Sequence, residues 1–111
     1  MASDLSFMEF VAGQFQYSGE ITFKKMFGEY AIYADGKVFA FVCDNKLFIK
    51  PIEAARNYIK DVVEAEAYPG SKMYFLIEDK LEDVAWLSGL VTAMVPELPE
   101  PKPKKKKNVL S

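Results

Sequence analysis

The chain has 111 residues, 50% of them apolar, with 14 basic and 16 acidic side chains, a single cysteine and no histidine. A length of this order supports one small domain with one core; the lone Cys43 excludes an internal disulfide, and the lack of histidine removes the usual zinc sets, the commonest general base and the familiar nucleophile triads. Residues 1–95 hold 9 basic and 14 acidic groups, a net of −5, whereas Lys102, Lys104, Lys105, Lys106 and Lys107 against Glu97 and Glu100 give residues 96–111 a net of +3; such a body is a poor landing surface for nucleic acid, whose phosphates need clustered lysine or arginine.

The opening MASDLSFMEF has neither a basic leader nor a long apolar stretch, and no run approaches the ~18 apolar residues of a membrane span. A cytoplasmic protein without a membrane partner is expected. Ser3 or Asp4 can cap a first helix running to about Gln16, with Phe7, Val11 and Phe15 at four-residue spacing and Met8 beside them. After Ser18-Gly19, Ile21 to Met26 reads as a short strand that ends or bulges near Phe27-Gly28.

From Lys24 to Pro51 the pattern is strongest. Asp35-Gly36 and Asp44-Asn45 suit tight hairpin turns and predict three consecutive antiparallel strands. With both turns two residues long, Tyr33 faces Val38, Ile32 faces Phe39, Ala31 faces Ala40 and Tyr30 faces Phe41. After the second turn Val42 faces Leu47, Phe41 faces Phe48 and Ala40 faces Ile49. One sheet face then carries Ala31, Tyr33, Val38, Ala40, Val42, Leu47 and Ile49, an aliphatic core. The other carries Tyr30, Ile32, Phe39, Phe41 and Phe48, edged by Lys37, Lys46 and Lys50. That aromatic face reads first as core, or core continued into a dimer contact, and second as a stacking platform for single-stranded nucleic acid.

Lys50-Pro51 ends the last of these strands and opens a second helix from about Ile52 to Val63. Tyr68-Pro69-Gly70-Ser71 is a turn cluster, MYFLI (Met73 to Ile77) a buried strand, and Asp79 with Glu82 a capping box for a third helix to about Met94, with Trp86 on its rim. From Pro96 the composition becomes that of an extended tail. The expected fold is α+β, an antiparallel sheet of about five strands in consecutive hairpins with three helices, in the order α-β-β-β-β-α-β-α. The domain spans residues 1–95 and a Pro/Lys-rich flexible tail spans 96–111.

No catalytic, metal or cofactor residue is expected. Cys43 lacks a histidine partner and reads as an inert thiol; Glu78-Asp79 and Glu82-Asp83 suit a helix start; Asp35-Gly36-Lys37 lacks the glycine spacing of a phosphate loop. The candidate interaction surface is Lys25, Met26, Phe27, Gly28, Tyr30, Phe39, Phe41, Phe48 and Lys50, and the candidate nucleic-acid contact is Lys102, Lys104, Lys105, Lys106 and Lys107.

Lys25-Met26-Phe27-Gly28, Tyr30, Tyr33, Gly36-Lys37, Phe39, Leu47 and Lys50-Pro51 together resemble the N-terminal domain of the TfoX/Sxy family. The shared pattern is a basic residue before Met-Phe-Gly, a tyrosine-rich strand, a Gly-Lys turn, an aromatic residue and a leucine strand ending in Lys-Pro. PGSKMYFLIEDKLEDVAWLSGLV is similar to the family's closing strand and helix, so the resemblance covers nearly the whole globular part. Glu29 stands where two-domain members commonly carry a second glycine. The resemblance implies a small α+β fold and a non-enzymatic, bacterial role in transcriptional regulation of natural competence, where two-domain members act with the cyclic-AMP receptor protein. The layout here, without a second helical domain, is similar to short stand-alone members. The expected partner is thus a protein of the transcription machinery. The alternatives are weak DNA binding through the lysine tail and aromatic face, and a small-ligand site near Met26, Phe27 and Lys50; a monomer and a homodimer both fit.

Overall fold

The computed structural model describes residues 4–26 and 29–99. Its elements are α1 (Leu5–Gln14), β1 (Ile21–Met26), β2 (Glu29–Ala34), β3 (Lys37–Cys43), β4 (Lys46–Ile49), α2 (Glu53–Ile59), β5 (Glu64–Glu66), β6 (Met73–Ile77), α3 (Val84–Met94) and a 3-10 turn at Val95–Glu97. The strands form one six-stranded antiparallel sheet in the order β1-β2-β3-β4-β6-β5. The α+β class and the three helices are as expected. The sheet gains β5, which pairs along the outside of β6. Its sequence, Glu-Ala-Glu, offers no apolar alternation to read, and its charges suit an edge strand.

Both hairpins close with two-residue turns. Asp35 and Gly36 sit at φ 52° and 81°, and Asp44 and Asn45 at 54° and 56°, the left-handed pair whose twist matches the flanking strands. The turns also anchor the N-terminal segment. Asp4 N–H donates to Asn45 Oδ1 (2.9 Å), and the Asp35 carboxylate accepts from Glu20 N–H (2.9 Å) and from the Tyr17 hydroxyl (2.8 Å). Those two bonds, Glu20 first, hold the Asp35 carboxyl below its ordinary range.

Across β3 and β4 the register is the expected one: Val42 opposes Leu47, Phe41 opposes Phe48 and Ala40 opposes Ile49. Across β2 and β3 the expected register holds only beside the turn, where Tyr33 opposes Val38. Farther on, Ile32 opposes Ala40, Ala31 opposes Phe41 and Tyr30 opposes Val42. Phe39 is therefore an extra residue, a β-bulge, and Phe39 and Ala40, adjacent in sequence, both enter the core. Because side chains alternate with period two, one inserted residue exchanges the faces of everything paired beyond it. The expected faces are corrected accordingly. Tyr30, Ile32 and Phe39 turn inward to join Ala40, Val42, Leu47 and Ile49. Ala31, Tyr33 and Val38 turn outward with Phe41 and Phe48.

The inner face packs under Met8 and Val11 of α1, Ala55 of α2, and Leu87, Leu90, Val91 and Met94 of α3. Phe15, just past α1, meets Phe39 edge to face, with ring centroids 5.1 Å apart at 86°. Helix ends differ from expectation. α2 stops at Ile59 because Lys60 takes φ 71°. α3 begins after Asp83, whose side chain accepts Trp86 N–H (3.0 Å), rather than at the Asp79–Glu82 pair. Past α3, Glu97 Oε1 accepts Ala54 N–H (3.1 Å) and Leu98 is buried, so packing continues beyond Pro96. Among the described residues no helix is long and apolar enough to cross a membrane.

Tyr58 fastens α2 to α3. Its hydroxyl donates to the Trp86 carbonyl oxygen (2.9 Å), its ring leans on the Trp86 ring (5.5 Å, 56°), and a Cβ added at Gly89 would fall onto Tyr58 Oη and 3.1 Å from Cζ. Gly89→Ala gains about 1 kcal/mol of helix propensity but inserts a methyl into a closed contact, at a cost of about 1–3 kcal/mol. Urea denaturation should show a net loss of about 1 kcal/mol, partly recovered when Tyr58→Phe removes the obstructing hydroxyl from the same chain. A Gly89→Ala protein more stable than the parent would contradict this packing.

Candidate functional site

Helices cover the inner face of the sheet, and the outer face carries a groove. Met26, Ala31, Tyr33, Phe41, Cys43, Phe48, Tyr74 and Leu76 share the outer face by strand parity. Phe41 on β3 and Tyr74 on β6 flank β4, yet their ring centroids lie 5.3 Å apart, tilted by 59°. The two rings lean together over β4, and Phe48 beneath them is 3% exposed.

The connection from β5 to β6 adds a second wall. Ser71 N–H donates to the Tyr68 carbonyl oxygen (3.0 Å) across Pro69 and Gly70, with Gly70 at φ 87°, the pattern of a type II turn. Ser71 Oγ accepts Ala67 N–H (3.0 Å) and donates to the Lys72 carbonyl oxygen (2.8 Å). This turn brings Ala67 and Tyr68 over the outer face, opposite Met26 and Glu29 at the end of the β1–β2 pair. Between the two lies a cavity of about 510 Å³, floored by Ala31, Phe41 and Cys43, walled by Tyr74, and bordered by the edge of Tyr30. The small Ala31 opposite Phe41 gives it depth. Tyr68 (58% exposed) and Met26 (39% exposed) form its lips, and the Tyr33 hydroxyl points to Met26 Sδ at 3.9 Å.

The electrostatics are acidic and unreactive. Glu29 Oε1 accepts Asp44 N–H (3.2 Å), which holds that carboxylate near Cys43. Burial first, then Glu29 and Asp44, pushes the Cys43 thiol from its ordinary 9.0 up to about 11. Burial, with Tyr68 and Cys43 close by, also raises Tyr74. A buried thiol without a base, under negative charge, stays protonated at neutral pH. Among the described residues no cluster of metal-ligating side chains could hold an ion.

The structure disperses the residues singled out from the sequence. Met26 and Phe41 line the groove. Phe39 lies in the core, Tyr30 is buried on the inner face with only an edge at the groove, and Phe48 is covered. The stacking platform drawn from Tyr30, Phe39, Phe41 and Phe48 is thereby reduced to Phe41. Lys25 is exposed on β1 and Lys50 is half-buried beyond β4. Phe27, Gly28 and Lys102 to Lys107 lie outside the described residues. Sequence reasoning missed Glu29, Ala31, Cys43, Ala67, Tyr68 and Tyr74 as groove residues. The alternation of MYFLI opposes Tyr74 to the core residue Phe75, and that was the available signal; nothing local announces that the Tyr68 turn reaches across the sheet.

The sequence profile of the TfoX N-terminal domain matches residues 13–95. The chain is also similar to the "Uncharacterized 12.7 kDa protein in trpE 5'region" of Spirochaeta aurantia, with 37% identity over 107 residues, 96% of this chain and 93% of the relative.

With the Cys43 pKa at about 11 rather than 9.0, the thiolate fraction at neutral pH falls about a hundredfold. An aromatic disulfide reagent should therefore modify the folded protein at least about a hundredfold more slowly than the urea-unfolded chain, with a rate that climbs as pH rises toward 11. Rapid modification independent of pH would contradict a buried, protonated thiol.

Proposed function

Since the chain belongs to the TfoX N-terminal domain family, we propose that it is a non-enzymatic regulatory domain acting in the bacterial cytoplasm, and that it contacts a protein of the transcription machinery through the grooved outer face of its sheet. The observation that carries this reading is the groove itself. A sheet face that only had to be solvated would carry polar side chains in alternation. This one instead presents Phe41, Tyr74, Tyr68 and Met26 around an open cavity, the aromatic and methionine composition favoured at binding surfaces. The protonated Cys43 thiol and the lack of histidine support a binding role over a catalytic one.

The family's link to competence makes control of a DNA-uptake programme the specific form of the proposal. Two-domain members of the family set that precedent.

Deleting the gene should change a defined set of transcripts, and a chain carrying Phe41→Ser with Tyr68→Ser should reproduce the deletion while keeping the parent's circular dichroism. Affinity capture with the parent chain should recover a transcription component, with at least about tenfold less on the double variant. Unchanged transcripts, together with capture that recovers no such component, would overturn the proposal.

A further inference from the structure

We propose that the groove is a binding site for an organic cation, an alkylated ammonium group carried on an apolar body. The inference shares the groove with the function proposed above but does not depend on a role in transcription.

Three aromatic side chains converge there. Phe41 and Tyr74, tilted at 59° with centroids 5.3 Å apart, form a corner, and Tyr68 closes it from the turn. Aromatic faces carry negative partial charge and attract cations set within about 6 Å of the ring centre, most strongly where water is displaced. One wall of the cage already shows this attraction, since Lys72 Nζ stands 5.7 Å from the Tyr74 centroid. Met26 adds a polarizable thioether at the lip.

The charge pattern selects the sign of the ligand. Glu29 lines the cavity, Asp44 lies next to the floor residue Cys43, and among the described residues the lining includes no lysine or arginine. An anionic ligand would meet the Glu29 carboxylate at the cavity wall. The volume selects the size. About 510 Å³ exceeds what a methylated ammonium head fills and falls in the range of small-molecule sites, which leaves room for an apolar body against Ala31 and Phe41.

The test is a titration of the full chain, by calorimetry and by the shifts of its aromatic NMR signals. Its probes are choline, benzyltrimethylammonium and 3,3-dimethyl-1-butanol, the uncharged carbon isostere of choline. Choline should bind at least about tenfold more tightly than the isostere, and benzyltrimethylammonium more tightly than choline. Tyr68→Ala alters an exposed side chain and should leave the fold intact while weakening both cations about tenfold. Glu29→Gln keeps an oxygen to accept Asp44 N–H, and should narrow the gap between choline and its isostere. Equal binding of choline and the isostere would make the cavity merely apolar and overturn the proposal. So would the absence of binding by either cation, or cation binding indifferent to Tyr68→Ala. No partner enters these titrations, so they fail or succeed separately from the transcript measurement.

Discussion

A single extra residue in β3 decides which side chains this protein hides and which it shows. Alternation along a strand is strict, so without the bulge Phe39 would stand outward opposite Ile32. Placing Phe39 and Ala40 consecutively on the inner side delivers an aromatic ring to Phe15 in the core and returns the next residue, Phe41, to the outer side. The same insertion turns Ala31 outward, directly opposite Phe41. A small residue beside a large one on an open face makes a depression. The bulge thus supplies both the core's central aromatic pair and the floor of the groove, and its own carbonyl is used as well, accepting Lys50 N–H (2.9 Å) at the end of β4.

The groove needs a second device, the turn after β5. An edge strand of three residues has little pairing of its own to contribute, and its place is held by neighbours: Val63 accepts Leu76 N–H (2.7 Å), and Arg56 reaches Glu64 (3.3 Å) while lying 5.0 Å over the Phe75 ring. The ion pair is exposed and contributes little, roughly 0–1 kcal/mol. The backbone bonds of β5 to β6 and the Ser71 hydroxyl therefore hold the turn, and through it Tyr68. A site assembled this way has a rigid floor and one wall of modest local stability, the arrangement expected where a ligand or partner must enter.

Much of this was legible in the sequence. Asp35-Gly36 and Asp44-Asn45 marked their turns because two consecutive left-handed residues are tolerated by few side chains, and the β3–β4 register followed directly. The Met-Phe-Gly to Lys-Pro pattern marked the family. The bulge was not legible: no glycine announces it, and Phe39 suits either face until Phe15 is known to wait beneath it. β5 was hidden because a charged edge strand resembles a linker. The starts and stops of α2 and α3 moved because Lys60 takes a positive φ in a tight turn closed by Asp61 N–H on the Ile59 carbonyl oxygen (2.9 Å), and because Asp83 rather than Asp79 finds an amide to cap. Each miss is a case of tertiary contact overruling a local signal, and together they account for the groove being found only in three dimensions.

The sorting of Phe39 inward and Phe41 outward underlies the core, the groove and every functional reading attached to them. The most direct test compares the unfolding free energies of Phe39→Ala and Phe41→Ala by urea denaturation. Phe39→Ala should cost about 3–5 kcal/mol, as expected for a ring removed from a closed core, and Phe41→Ala about 2 kcal/mol, the scale of a half-buried ring with one aromatic partner. Equal losses, or a larger loss at Phe41, would contradict the bulge and return the two rings to a common face.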